Sequence, residues 1–443
     1  MCGIAGFVAR QADPAALPRM LREIAHRGPD GEGSWRGAAG PFTVALGHRR
    51  LAIIDVAGGA QPMANEDGSV VISYNGEVYN FQALRPALEG LGHRFRTRSD
   101  TETIVHHYEQ HGPGGLAALD GMFAFAIWDA ARERLLLARD RCGIKPLYYA
   151  ELPGGGLAFA SELTALLAHG GVDRALGAEG LASYFFSDYL HPPHTIARAV
   201  KKLPPGHTLI WERGELQAPR AFWQVPAGPA PESGAASEAT LATALWAGIE
   251  RAVEAQLVSD VPVGIFLSGG IDSSLVAAAA ARRGGQRMKA FSIGFEDGSF
   301  DESSYARLVA AELGVEQVTE TLRAENLLEV VDLALDSLDE PLADPSFIPT
   351  FLLARLAARH VKVVVGGDGG DELWGGYPTY RAHQLAALYG ALPGWFRRGV
   401  VERAVAWLPI DDRYQSLEWK LRRFTGRWDD ARVVRHLRWM STV

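Results

Sequence analysis

The sequence predicts two units of different build: a strand-rich α+β sandwich of layered sheets, then an α/β unit with a doubly wound parallel sheet. Three observations carry this. Short apolar runs separated by turn residues fill the first half of the 443-residue chain. Strand and helix patterns alternate in the second half, as crossover connections require. Between them residues 224–237 (QVPAGPAPESGAAS) are rich in Pro, Gly, Ala and Ser, lack any apolar period, and read as a linker.

In chain order, runs at 4–8, 43–46, 52–54, 70–74, 123–128 and 135–138 read as strands of the first unit, with helices near 17–25 and 101–110. In the second, 261–267 reads as a buried strand, 273–283 as a helix, 288–295 as a strand and 302–313 as a helix. Helix over 346–359 and a strand over 361–365 follow. The expected division is 2–219, a linker over 220–240, and 241–443. Hydrophobic residues make up 47% and charged residues 22%, an ordinary globular balance that argues against a disordered chain. A net charge of −8 excludes a surface built to grip a polyanion, so no nucleic-acid partner is expected. Two cysteines are too few for a disulfide framework, which points to a reducing, cytoplasmic setting. No apolar stretch approaches the 18 residues of a membrane span, and the N-terminus lacks a secretory signal, so no membrane partner is expected.

Cys2 opens the chemistry. Methionine is usually trimmed before a small second residue, which would leave a cysteine bearing both a thiol and a free α-amine. That amine, with a reference pKa of about 7.7–8.0, suits removal of the thiol proton, and a thiolate is a strong nucleophile toward carbonyl carbon. Five further residues gain meaning beside it: Arg50, Asn75, Gly76, Glu77 and Asp100. Each has a plain structural reading. Asn75-Gly76 between two apolar runs is a strong hairpin signal. Ser99 with Glu102 fits a capping box, with Asp100 in the first turn, and Arg50 could be a strand-end charge. Jointly they make a nucleophile, two oxyanion donors, one cation and two carboxylates.

The segments CGIAGF, HRGPDG, GHRRLAIID, NGEVYN, RSDTE, LDGMFAFAIWD, RDRCGIKPLYY and FASE, in this order, resemble the class II glutamine amidotransferase domain over most of residues 2–210. The resemblance implies an N-terminal-nucleophile hydrolase fold, two sheets between helices, with Cys2 attacking the glutamine side-chain amide. It implies Asn75 and Gly76 as oxyanion donors, and Arg50, with its neighbours Leu51, Ala52, Ile53 and Ile54, at the α-carboxylate. Glu77 and Asp100 would hold the α-ammonium, and Cys142 is expected in the core.

In the second unit Ser268-Gly269-Gly270-Ile271-Asp272-Ser273-Ser274 follows a buried strand and opens a helix. Glycine-freed N–H groups, hydroxyls and a helix N-terminus make an anion site. The chain has no Gly-Lys dipeptide and hence no Walker A loop. A second loop, Gly366-Gly367-Asp368-Gly369-Gly370-Asp371-Glu372, again follows a strand, where open α/β sheets place ligands. Asp272 and Asp371 are the expected pair for Mg²⁺, a hard cation that favours carboxylate and phosphate oxygens.

The first loop is similar to the pyrophosphate loop of N-type ATP pyrophosphatases. The two units in this order resemble the glutamine-hydrolysing asparagine synthetases, asparagine synthetase B, with FSIGF and EPLADPSFIPT as further matches. The resemblance implies ATP and Mg²⁺, with Leu267, Ser268, Gly269, Gly270, Asp272, Ser273, Ile293, Gly366 and Gly367 at the nucleotide. Asp368 would assist β-aspartyl-AMP formation, and Glu340 and Asp344 would orient the acceptor. Glutamine, aspartate and ATP are the implied substrates, and a homodimer the implied assembly. The family's second unit usually continues through a helical, lysine-bearing region, whereas the last lysine here is Lys420, so an incomplete second unit is expected. Gln317 and Gly366 stand where histidine and serine are frequent. Two alternatives share these residues: another carboxylate acceptor, or a glutaminase joined to a non-synthesising regulatory unit.

Overall fold

A computed structural model describes residues 1–226, 228, 237–284, 288–323, 325, 327–410, 416–429 and 431–441. The N-terminal part contains thirteen strands among the described residues: β1 (Gly3–Ala9), β2 (Gly31–Ala39), β3 (Phe42–Arg50), β4 (Met63–Ala64), β5 (Val70–Val78), β6 (Gly121–Asp129), β7 (Arg134–Arg139), β8 (Tyr148–Leu152), β9 (Gly156–Ala160), β10 (Val200–Lys202), β11 (His207–Glu212), β12 (Glu215–Leu216) and β13 (Arg220–Ala221). They form two antiparallel sheets. One runs β10-β8-β9-β1-β3-β2, the other β12-β11-β7-β6-β5-β4 with β13 on β11.

Alternation along the strands stacks these sheets. On β1, Ile4 and Val8 meet Trp128, Leu137 and Trp211 between the sheets, while Ala5 and Phe7 turn outward to Leu17 and Met20 of α1 (Ala16–Glu23). On β6, Ala124, Ala126 and Trp128 face inward, and Phe123, Phe125 and Ile127 pack outward. The outer face of that sheet is covered by α2 (Phe81–Gly90) and α3 (Asp100–His111), with Ile104, Val105 and Tyr108 buried. The result is the expected helix–sheet–sheet–helix sandwich. Both faces of the central strands are covered, which is why β1, β5, β6 and β7 contain apolar runs without alternation in polarity, whereas β2 at the edge alternates in burial.

Three local expectations fail. Residues 52–54 form no strand: they belong to a loop whose carbonyls at Ile54, Asp55 and Val56 accept from the Arg50 guanidinium. Asn75-Gly76 is no hairpin turn but lies inside β5, paired with Ala124 and Phe123 of β6. Cys142 is exposed rather than core. It sits in a turn wrapped around buried Asp140, which accepts the N–H groups of Cys142, Ile144 and Lys145, so the backbone is held there while the thiol faces outward.

Two short helices, α4 (Leu163–Leu167) and α5 (Ala178–Ser187), complete the first part. Of the stretch expected as linker, 220–221 is strand β13, 227 and 229–236 lie outside the described residues, and 238–240 begin α6 (Glu238–Gln256), capped by Ser237. Next come β14 (Val263–Phe266), α7 (Ile271–Gly284), β15 (Lys289–Phe295), α8 (Ser303–Leu313), β16 (Glu316–Leu322), α9 (Leu327–Asp336), α10 (Phe347–Ala358), β17 (Val363–Val365) and α11 (Gly370–Trp374). The sheet is parallel, ordered β16-β15-β14-β17. Helices cover both faces: Val253, Ala277 and Ala306 pack on Ile265 from one side, and Leu356 and Ala357 pack on Phe291 from the other. The chain moves outward from β14 to β16, then returns to pair β17 with β14. That reversal is a topological switch point, where ligands of such sheets bind. No described helix is long and apolar enough to cross a membrane.

Candidate functional site

Cys2 stands immediately before β1, at the edge of a pocket lined by Arg50, Leu51, Ile53, Ile54, Gly59, Gln61, Tyr74, Gly76, Glu77, Ser99, Asp100 and Thr101. Its Sγ lies 3.4 Å from the Leu51 N–H, which donates to it, and 3.6 Å from the Leu51 carbonyl. Arg27 fixes the Cys2 carbonyl with a 2.9 Å bond from Nε. Burial pushes the thiol up, opposed by the Leu51 N–H. Burial also holds the α-amine of Met1 down to about 6.

β5 delivers the opposite wall. Asn75 is 1% exposed, yet its Nδ2 has no acceptor. Gly76 is required by close approach: a Cβ would fall 2.2 Å from the Met122 carbonyl of β6. Glu77 has one buried oxygen without a donor, and burial together with the Asp100 charge pushes its carboxyl up to about 9. Asp100 differs. Its two oxygens accept from the Tyr74 hydroxyl (2.7 Å), the N–H groups of Val78 (3.0 Å) and Thr101 (2.9 Å), and the Ser99 hydroxyl (3.3 Å). Burial pushes Asp100 up against the pull of these donors. The half-empty carboxylate is therefore Glu77, and Asp100 is pinned.

The capping box forms by half. Ser99 accepts from the Thr101 N–H, but Glu102 reaches past it to the Arg96 and Thr97 N–H groups and the Thr97 hydroxyl. Of the sequence-derived set, Cys2, Arg50, Leu51, Ile53, Ile54, Gly76, Glu77 and Asp100 line one pocket; Ala52 is buried behind it, its N–H donating to Asp30. Gln61 and Tyr74 were not foreseen: Gln61 accepts from the Tyr74 N–H at 2.7 Å, and both face the pocket. A larger cavity of about 820 Å³ lies alongside, between residues 54–58, 81–98 and 258–260, but holds neither the thiol nor the unpartnered polar atoms.

Glu77 yields a pH expectation. Its folded value of about 9 exceeds the ordinary 4.5, so its protonated form favours the folded ligand-free chain. That stability is full below about 4.5 and is lost as pH rises through 9. Glu77→Gln, which mimics the protonated acid, should therefore raise Tm over wild type near pH 9 and give no gain near pH 4.5. Calorimetry at the two pH values checks this, and a gain larger at low pH would contradict it.

The second cluster sits at the switch point. Ser268 Oγ and Ser273 Oγ lie 3.0 Å apart, Ser268 Oγ accepts the Gly270 N–H, and the Ser274 N–H donates to the Gly270 carbonyl, opening α7. Gly269 adopts φ +88°, and a Cβ there would meet the Ala306 N at 2.5 Å. The two glycine loops touch. A Cβ on Gly367 would fall 2.7 Å from the Ser273 N, and one on Gly370 2.4 Å from Asp272 Cγ. Asp272 thus lies against the residue preceding Asp371, a contact only glycine admits, while the Asp371 carboxylate lies against Gly376. Leu267 continues β14: its N–H donates to the Phe291 carbonyl and its own carbonyl accepts from the Ser292 hydroxyl. Gln317 donates to that same hydroxyl. Ile293 lies on β15, half-buried among Phe266 and Leu353.

Comparison with known proteins follows the same division. Residues 1–223 match the family described as glutamine amidotransferase domain, and 245–442 match asparagine synthase. The asparagine synthetase [glutamine-hydrolyzing] 1 of Bacillus subtilis is 35% identical over 94% of this chain and 65% of its own length. A putative asparagine synthetase of Mycobacterium bovis is 36% identical over 90% of this chain and 64% of its own. A putative asparagine synthetase 2 of Methanocaldococcus jannaschii is 32% identical over 86% and 76%. The chain belongs to the glutamine-hydrolysing asparagine synthetase family. It spans about two thirds of the length of the first two relatives.

Within this family frame, contacts between the two parts of the chain reach the pocket loop. Asp260, just before β14, accepts the Asp55 N–H at 2.7 Å and donates its own N–H to Ile53, so it holds the pocket loop. Lys362 Nζ pairs with Asp30 at 2.7 Å. The two residues expected to orient an acceptor differ in environment: Glu340 keeps one buried oxygen without a donor. Glu340 accepts from the Tyr148 hydroxyl (2.8 Å) and Lys202 Nζ (2.7 Å) of the first part, and Asp344 accepts from the Ser346 N–H in a turn. Neither partner of Glu340 was legible in sequence, because both lie on distant strands of the other unit.

Proposed function

We propose that the chain carries the two reactions of a glutamine-dependent asparagine synthetase, in a glutaminase unit (2–219) joined by a linker (220–240) to an ATP-using unit (241–443), in the cytoplasm. The observation that carries this reading is the meeting, in one pocket, of the Cys2 thiol with Gly76, Glu77 and Asp100.

After Met1 is trimmed, the Cys2 amine occupies the buried site, where loss of water favours its neutral, proton-accepting form. It takes the thiol proton as Sγ attacks the glutamine amide carbon. Negative charge then develops on oxygen, and the free Asn75 Nδ2 with the Gly76 N–H supplies donors for it. The tetrahedral adduct expels ammonia, and water releases glutamate from the thioester. Glu77, with its undonated oxygen, ionises on meeting the substrate ammonium; Asp100 positions Tyr74 and the start of α3. Leu51–Ile54 and Arg50 present the edge that meets the α-carboxylate.

In the second unit the Ser268–Ser273 loop would cradle the pyrophosphate of ATP, with Ile293 and Gly367 beside the nucleoside and Gly366 continuing the strand end. Asp272 and Asp371 would hold Mg²⁺, which when bound offsets charge on the leaving pyrophosphate. The aspartate β-carboxylate attacks the α-phosphorus, and pyrophosphate leaves. Asp368, in the same loop as Asp371, would assist β-aspartyl-AMP formation. Ammonia from the first site then displaces AMP, giving asparagine. Adenylation is needed because a carboxylate is a poor electrophile, and internal transfer is needed because free ammonia is mostly ammonium at neutral pH.

The test is pyrophosphate release from Mg-ATP by this 443-residue chain with aspartate and ammonium chloride, against the same mixture without aspartate. Aspartate-dependent release with asparagine formed supports the reading. Glutamine hydrolysis without release refutes synthesis by this chain and redirects the search to other carboxylates.

A further inference from the structure

We propose that Glu66, His93, His106 and Glu109 form a structural site for a divalent first-row transition ion, of the Zn²⁺ type, on the outer face of the glutaminase unit. One ligand atom from each of the four lies within 4.8 Å of all the others. The site draws on three separate segments. Glu66 lies between β4 and β5, His93 between α2 and α3, and His106 and Glu109 one turn apart on α3.

A second observation, beside the convergence of the four ligand atoms, points to a ligand. His106 is only 1% exposed, yet neither of its ring nitrogens reaches a hydrogen-bond partner. The nearest oxygens stand beyond the ordinary range: 3.5 Å from Nδ1 to Glu66 and to Glu109, and 3.7 Å from Nε2 to Glu102. His93 Nδ1 is likewise 3.5 Å from Glu109. The four groups thus converge at ion-pair distances, with no ordinary hydrogen bond among them. A tetrahedral Zn²⁺ site with bonds of 2.0–2.1 Å has ligand–ligand edges of about 3.3–3.4 Å. Three of the six edges here are 3.5 Å and the others are at most 4.8 Å, so an ion would draw the four side chains together, least along the three short edges.

The surroundings match a ligand set already oriented from outside. The second oxygen of Glu66 accepts the Arg94 N–H at 2.7 Å. His93 Nε2 faces the Gln110 amide oxygen at 3.3 Å. Glu102 stands behind His106 Nε2, itself held at 2.6–2.7 Å by Arg96 and Thr97, as the carboxylate of a carboxylate–histidine–metal arrangement would be. Two imidazoles with two carboxylates suit a borderline cation rather than Mg²⁺ or Ca²⁺, which prefer all-oxygen sets. Bound there, the ion would tie the β4–β5 connection and the loop before α3 to the helix whose first residue is Asp100.

The experiment uses the full chain, stripped by chelator, in a Cys2→Ala, Cys142→Ser background so that neither thiol can bind the probe. Zn²⁺ is titrated by calorimetry, and Co²⁺ by its visible spectrum. One ion per chain is expected, with the intense visible bands of four-coordinate Co²⁺. Zn²⁺ at a hundredfold excess over Kd should raise Tm by roughly 5–10 °C. His93→Gln should cost more than the roughly 10–100-fold that loss of a supporting partner costs, and Glu102→Gln should fall within that range. Glu109→Gln guards against misfolding: its metal-free Tm should equal or exceed that of the parent, while the Zn²⁺-induced rise disappears. No saturable binding, or equal binding and equal stabilisation in His93→Gln, overturns the proposal and leaves a proton on His106 as the occupant of the cluster.

Discussion

Cys2→Ala is expected to lower glutamine hydrolysis by roughly 10⁴-fold or more, because the thiolate is the group assigned to form the acyl intermediate. The size follows from the arrangement. Burial raises the thiol's pKa, so the free thiol is a poor nucleophile until a base takes its proton. The candidate base is the α-amine of the same residue. Alanine keeps that amine and the Arg27 bond to the carbonyl at position 2, so loss of activity would report the sulfur alone. Ammonia-dependent pyrophosphate release should persist near the parent rate, since the Ser268 and Gly366 loops lie in a different unit. A chain that loses both activities would contradict separable sites. Intact-mass measurement completes the test: active protein that retains Met1 would rule out the free-amine mechanism.

Sequence showed different parts of this molecule with different clarity, for physical reasons. The Ser268–Ser274 loop was legible because its chemistry is local: glycine turns, hydroxyls and a helix start lie within seven residues. The two sheets were legible because both faces are covered, leaving apolar runs at β1, β5, β6 and β7. The 31–39 strand escaped notice because its glycines and alanines give no apolar signal, although it pairs along its whole length with β3. Asn75-Gly76 misled, since its local preference for a turn is overridden by nine paired positions against β6. Residues 52–54 misled in the opposite sense: an apolar triplet with strand preference was drawn into a loop by the Arg50 guanidinium. The Glu66–Glu109 cluster was invisible, being assembled from three segments that approach only in the folded sandwich. The two carboxylates of the pocket also differ in environment. Asp100 and Glu77 look equivalent in sequence, but four donors satisfy the first while burial leaves one oxygen of the second bare.

The second large effect is expected at Asp272. Asp272→Asn keeps volume and hydrogen-bonding shape but removes the negative charge, so a stability change should be small while a hard cation loses one of its two carboxylates. Aspartate-dependent pyrophosphate release should fall by roughly 10²-fold or more, with glutamine hydrolysis measurable at the parent rate. Geometry supplies a companion test that leaves the charge intact. Gly370 admits Asp272 only because it has no side chain, its Cβ position lying 2.4 Å from Asp272 Cγ. Gly370→Ala must therefore displace the carboxylate or the loop carrying Asp371, and it should reproduce the Asp272→Asn loss without altering any charged residue. If Asp272→Asn retained full pyrophosphate release, the assignment of that carboxylate to Mg²⁺ would fail. If Gly370→Ala alone were active, the two loops would have to tolerate separation, and their close approach would be packing rather than part of the nucleotide site.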